Sequence, residues 1–124
     1  MTDIHHRNKQ TVAALREALY NYEAKKVRET IKALFSDDAL VQLAYPFETL
    51  DSPDSLYSLV YSGLQESIPD LERRDTIVMA GPTHHGDNWV GCCGYYTGSF
   101  EKPWLDIPPT GHQVAMRYHE FFRL

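Results

Sequence analysis

Cysteine is scarce in this 124-residue chain: only Cys92 and Cys93 occur, side by side in an apolar run. Neighbouring side chains of an extended segment point to opposite faces, so the pair is expected as two free thiols and not as a bridge. Basic residues are also few. Lys and Arg number 12 against 17 Asp and Glu, a net charge of −5. Without a basic cluster, neither nucleic acid nor an anionic membrane surface is expected as a partner. No apolar run approaches the ~20 residues needed to span a bilayer. The opening MTDIHHRNKQT is too polar for a signal peptide or an anchor. Free thiols and no export signal together imply a cytoplasmic protein.

Several chemical motifs are missing as well. His5-His6 and His84-His85 are adjacent pairs, without the i, i+4 spacing that turns two imidazoles toward one ion. Gly91-Cys92-Cys93-Gly94 lies inside a strand-like run and not ahead of a helix, so it is no phosphate cradle. No Gly-x-Ser-x-Gly marks a nucleophilic serine. Neither a metal nor an organic cofactor is expected.

What is present is an ordinary globular composition, 43% hydrophobic and 23% charged, in a length that suits one domain with a real core. Val12, Leu15, Leu19 and Tyr22 recur at helical spacing and predict a helix over 11–23. Val27, Ile31, Leu34 and Phe35 repeat the pattern up to Ser36-Asp37-Asp38. Residues 39–45 alternate as a short strand that Pro46 ends. Ser52-Pro53 marks a third helix start, and Leu56, Leu59, Val60, Gly63 and Leu64 form its apolar stripe up to Ile68-Pro69. Residues 71–81, 88–97 and 112–124 then read as three long strands. Three helices followed by antiparallel strands spell an α+β fold, with the helices on one face of a curved sheet.

Between the last two strands the chain runs GYYTGSFEKPWLDIPPTGHQV, from Gly94 to Val114. Two adjacent prolines fix φ and lack an N–H, so this bend belongs to neither a helix nor a sheet interior. Thr97-Gly98, a short insert anchored by Phe100 and Trp104, then Ile107-Pro108-Pro109-Thr110-Gly111 and a Val-containing strand resemble the SnoaL-like polyketide cyclases of the nuclear transport factor 2-like superfamily. Ser67-Ile68-Pro69-Asp70-Leu71 and Phe121-Phe122-Arg123 add to the likeness, which covers nearly the whole chain. The resemblance implies a cone, its curved sheet and helices enclosing one apolar pocket for a small apolar or carbonyl-containing molecule. It also implies a homodimer packed sheet to sheet. The activity implied is intramolecular aldol ring closure of polyketide esters without metal or cofactor. In those cyclases the acid/base residue is an aspartate in a strand beyond the point matching Leu124, so it has no counterpart here. The expectation is therefore a C-terminally truncated SnoaL-like domain over 1–124, catalytic or else a binding or dimerisation module.

Strand parity assigns the candidate residues. Val114, Met116, Tyr118, Glu120 and Phe122 share the face expected to line the pocket, and Gln113, Ala115, Arg117, His119, Phe121 and Arg123 share the other. Glu120 among apolar neighbours is a candidate general acid or base; alternatively it pairs with Arg73, Arg117 or Arg123. His119 is the second catalytic candidate, or an interface or surface histidine. Cys92 and Tyr96 are expected to line the pocket with Met116 and Tyr118. Gly94 either enlarges that pocket or has its space filled by Trp104 or Tyr118. Trp104 is a lid or a loop anchor, and Tyr45 a core or a ligand contact. Arg73 and Asp75 share parity with Ile77 and Met79, either at the pocket mouth or as solvated strand-end charges.

Overall fold

The structure is a computed structural model and describes residues 3–124. Helix α1 spans Ile4–Tyr20, seven residues earlier than the apolar periodicity indicates, because Asp3 caps it: its carboxylate accepts from His5 N at 3.3 Å. Asn8, Val12, Leu15, Ala18 and Leu19 are its buried stripe. Helix α2, Ala24–Leu34, buries Val27 and Ile31.

The expected strand over 39–45 shrinks to β1, Val41–Gln42, which pairs antiparallel with β2, Thr49–Leu50. The chain turns between them through Ala44-Tyr45-Pro46-Phe47-Glu48, with Glu48 at φ 52°.

A further departure lies in the third helix. Residues Leu56–Tyr61 wind as a π-helix and run on into α3, Ser62–Ser67. The wider turn changes the inward phase. Leu56, Tyr61 and Leu64 are buried, whereas Leu59, assigned to the apolar stripe by ordinary helical spacing, stands exposed.

Strands β3 (Glu72–Pro82), β4 (Asn88–Ser99) and β5 (Gln113–Arg123) form an antiparallel sheet in that order. The β4–β5 register is unbroken, whereas β3 carries a bulge between Asp75 and Ile77. That extra residue reverses the parity of the second half of β3. Arg73 and Asp75 face the helices, but so do Val78 and Ala80, and Ile77 and Met79 turn outward. Helix α1 packs on β3 and β4, and the core runs from Leu15, Leu19, Val27 and Ile31 to Val90, Cys92, Tyr96 and Tyr118.

The Pro69-Asp70-Leu71 and Thr97-Gly98 motifs meet in space. A Cβ on Gly98 would lie 2.3 Å from Ile68 Cγ2. Asp70 accepts from Ser99 N at 2.7 Å and from Ser99 Oγ at 3.1 Å, and the backbone N–H is the main reason its carboxyl pKa is lowered. The two motifs thus lock the end of the third helix onto the start of the loop. That loop closes on itself: Gly111 N donates to Phe100 O at 2.8 Å, and Phe100 N to His112 O at 3.0 Å.

Candidate active site

Charged and phenolic side chains converge inside the apolar core. Arg73 and Asp75 come from β3, Cys92 and Tyr96 from β4, Tyr118 and Glu120 from β5, Arg16 from α1 and Tyr61 from the π-helical turn. Register explains the convergence: Asp75 lies opposite Gly94 and Gly94 opposite Tyr118, while Cys92 lies opposite Glu120.

Asp75 is the hub. Its Oδ2 accepts from Arg16 Nε at 3.0 Å and its Oδ1 from Arg73 Nε at 3.0 Å. The Tyr118 hydroxyl donates to the same Oδ1. Burial works to raise this carboxyl, but the Tyr118 hydrogen bond, the Arg73 charge and the hydrogen bonds from Arg16 and Arg73 outweigh it, and the pKa ends below the usual aspartate value. Asp75 is therefore an ionised carboxylate held by three donors.

Glu120 is the second carboxyl, and it stands differently. It pairs with Arg73 Nη2, the same nitrogen that lies 3.0 Å from Asp75 Oδ1. Burial raises its pKa more than the Arg73 charge and hydrogen bond lower it, so the net shift is upward. Its side chain is 22% exposed, against 0% for Arg73. Two carboxyls that share one arginine are thus driven apart in acidity.

The surrounding groups are held neutral. Tyr61, Tyr96 and Tyr118 are all raised, in each case first by burial, and the Cys92 thiol is pushed up to about 11 by burial. The rings follow one another at a tilt: Tyr61 and Tyr96 centroids are 6.4 Å apart, Tyr96 and Tyr118 5.0 Å. The Arg73 guanidinium lies over the Tyr118 ring at 4.3 Å. Among the described residues Arg73 Nη1 has no hydrogen-bond partner.

Of the residues singled out by sequence, Glu120, Cys92, Tyr96 and Tyr118 are brought together here, and Met116 packs half-buried against the same core. Three are not. His119 projects from the opposite face of β5, exposed, and accepts from Arg117 Nε at 3.1 Å. Strand alternation with no bulge in β5 keeps its imidazole away from Glu120. Tyr45 sits on the turn between β1 and β2, 87% exposed. Trp104 anchors its loop instead of covering the cluster: it closes a tight turn with Ile107 through hydrogen bonds of 3.1 and 2.8 Å and packs near Phe47, ring centroids 6.4 Å apart. Beside it lies a groove of about 400 Å³, lined by Leu59, Glu66, Lys102 and Leu105 and separate from the polar cluster.

Gly94 does not enlarge a pocket, because a Cβ there would stand 2.0 Å from the Arg74 carbonyl oxygen. Arg73 and Asp75 are not solvated strand-end charges but central members of the cluster. Tyr61 and Arg16 were not singled out by sequence. Arg16 carried a weak signal, a charge one position from the buried Leu15, whereas the π-turn that aims Tyr61 carries none.

No family model and no curated protein matches the chain. Solved structures do. A candidate SnoaL-like polyketide cyclase from Jannaschia sp. CCS1 superposes with a TM-score of 0.75 at 21% identity, over 100% of this chain and 81% of that one. The chain has the SnoaL-like fold. IdmH, a candidate polyketide cyclase from Streptomyces antibioticus, shares this fold at TM-score 0.70 and 20% identity, over 96% of this chain and 84% of its own. AclR, a candidate hydroxylase from Streptomyces galilaeus, follows at 0.71 and 19%, over 95% and 70%. The SnoaL-like fold thus carries more than one named activity, and the choice among them falls to the side chains. Among the described residues no helix is long and apolar enough to cross a membrane.

Proposed function

We propose that this chain is an acid/base enzyme that closes a ring in a small apolar carbonyl compound, by chemistry of the intramolecular aldol type. The observation that carries the proposal is Glu120, a carboxyl of raised pKa set against a buried guanidinium inside a SnoaL-like fold. Ionised Glu120 takes a proton from the carbon beside a carbonyl, leaving an enolate whose charge sits on oxygen. Arg73 supplies positive potential, and the neutral phenol of Tyr96 supplies a hydrogen-bond donor. The enolate carbon then attacks a second carbonyl of the same molecule, and Glu120 returns its proton to the new alkoxide. Protons and charge balance with side chains alone, so this scheme needs no metal or organic cofactor. Asp75 holds Arg73 and Tyr118 in place and is a positioning residue.

Two further properties belong to the proposal. The outer face of the sheet exposes Ile77, Met79 and Phe121, and Met79 and Phe121 line a groove of about 570 Å³, which supports a homodimer paired through that face. The free thiols of Cys92 and Cys93 support a reducing, cytoplasmic setting.

The enzyme assignment is tested by hydrogen exchange in D₂O on a panel of apolar β-keto esters, followed by NMR. Proton abstraction by Glu120 accelerates exchange at the carbon between the carbonyls, and Glu120→Gln loses about 10²–10⁴-fold of that rate. No acceleration by the folded wild-type protein, or equal acceleration by the variant, overturns it.

A further inference from the structure

The groove beside Trp104 takes no part in the proposed chemistry. One wall is the third helix, which presents Leu59, Gly63 and Glu66 to it. The other wall is the loop segment Lys102-Pro103-Trp104-Leu105. Spacings of four and three residues keep the helix members on one face. The walls are tied together at one end. Glu101 N and Lys102 N donate to Ser67 O at 2.9 and 3.2 Å, and Ser67 Oγ donates to Pro103 O at 2.9 Å. Glu66 and Lys102 therefore stand near the tied end, with Leu59 and Leu105 farther along.

Two irregularities of the backbone set the apolar lip. The π-turn leaves Leu59 outside the core, 57% exposed. Leu105 and Asp106 are the central residues of the tight Trp104–Ile107 turn, at φ 50° and 66°. Glycine or asparagine suits such positions, and a leucine held there is strained. Strain of this kind gathers at functional sites. Between the walls, a Cβ at Gly63 would meet nothing within 4 Å, so the floor is open.

The two charges at the tied end are of opposite sign. Among the described residues neither Glu66 nor Lys102 makes an ion pair, with the other or with a third group. An amine alone would be repelled by Lys102, and a carboxylic acid alone by Glu66. A molecule with an ammonium and a carboxylate on one carbon complements both. Its apolar part then has about 10 Å of helix, from Glu66 to Leu59, to lie along. The volume of about 400 Å³ suits a small molecule, whose sites span roughly 300–1,000 Å³.

We propose that this groove binds a free α-amino acid with a large apolar side chain. Glu66 takes its ammonium, Lys102 its carboxylate, and Leu59, Trp104 and Leu105 its side chain. The groove is separate from the Arg73–Glu120 cluster, so the inference goes beyond the proposed reaction and does not depend on it.

Titration of isotope-labelled protein with L-phenylalanine, followed through amide chemical shifts, tests the site. Phenylalanine shifts amides within 59–67 and 102–107. Phenylalanine amide lacks the carboxylate and N-acetylphenylalanine the ammonium, and each binds about tenfold more weakly. Lys102→Met removes the first difference and Glu66→Gln the second. Both side chains are exposed, so the fold is kept. No shifts at millimolar phenylalanine, shifts centred elsewhere, or a variant that keeps its difference overturns the proposal. Equal binding of the three compounds by wild type also overturns it. The lip would then accept any apolar group, such as a side chain of a partner protein.

Discussion

The hydroxyl of Tyr118 reaches Asp75 across the strand between them, and the residue it spans is Gly94. The same glycine accommodates the β3 bulge, since a Cβ there would meet the Arg74 carbonyl oxygen at 2.0 Å. Backbone cannot move aside as a flexible side chain can. Gly94→Ala is therefore expected to destabilise the fold by about 1–3 kcal/mol, the range typical of overpacking. Thermal unfolding measures this, and an unchanged midpoint would contradict the close approach.

Phe121 is 64% exposed on the outer face of the sheet, next to Met79 and Ile77. If that face joins two copies, Phe121→Lys places a charge in each half of an apolar interface. Sedimentation velocity should show a dimer for wild type and a monomer for the variant, with circular dichroism unchanged. A wild-type protein that sediments as a monomer would remove the proposed dimer.

Displaced in opposite directions, Glu120 and Asp75 couple stability to pH with opposite signs. Glu120 is raised, so its contribution is full below the unfolded carboxyl pKa and is lost as pH rises through the folded value. Asp75 is lowered, so its contribution is present above the unfolded value and is lost as pH falls through the folded one. Relative to wild type, Glu120→Gln should gain stability as pH rises across its window, and Asp75→Asn as pH falls across its own. Denaturant titrations through the acid range decide this, and parallel curves for the three proteins would contradict the paired shifts.

Much of this arrangement is legible in the chain. Alternation along β4 and β5 assigns Cys92, Tyr96, Tyr118 and Glu120 to one face, because neither strand is interrupted. Helical spacing likewise gives Val12, Leu15, Leu19, Val27 and Ile31 as core. Sequence reasoning fails where the backbone departs from a regular period. The bulge after Asp75 reverses β3, so Ile77 and Met79 point away from the residues with which simple alternation groups them. The π-turn brings Tyr61 inward in place of Leu59. Both irregularities depend on packing between distant segments, which no local pattern encodes. The placement of Tyr45 fails for a related reason, as its strand ends after two residues and leaves the ring on a turn.

The account turns on one carboxyl, and a site-resolved NMR titration of the Glu120 side chain tests it most directly. The carboxyl carbon should titrate above the ordinary glutamate value of 4.5, while that of Asp75 titrates below its ordinary 3.8. A Glu120 that titrates at or below 4.5 would mean that Arg73 outweighs burial. The pair would then be a structural ion pair, and the proposed proton transfer would lose its base.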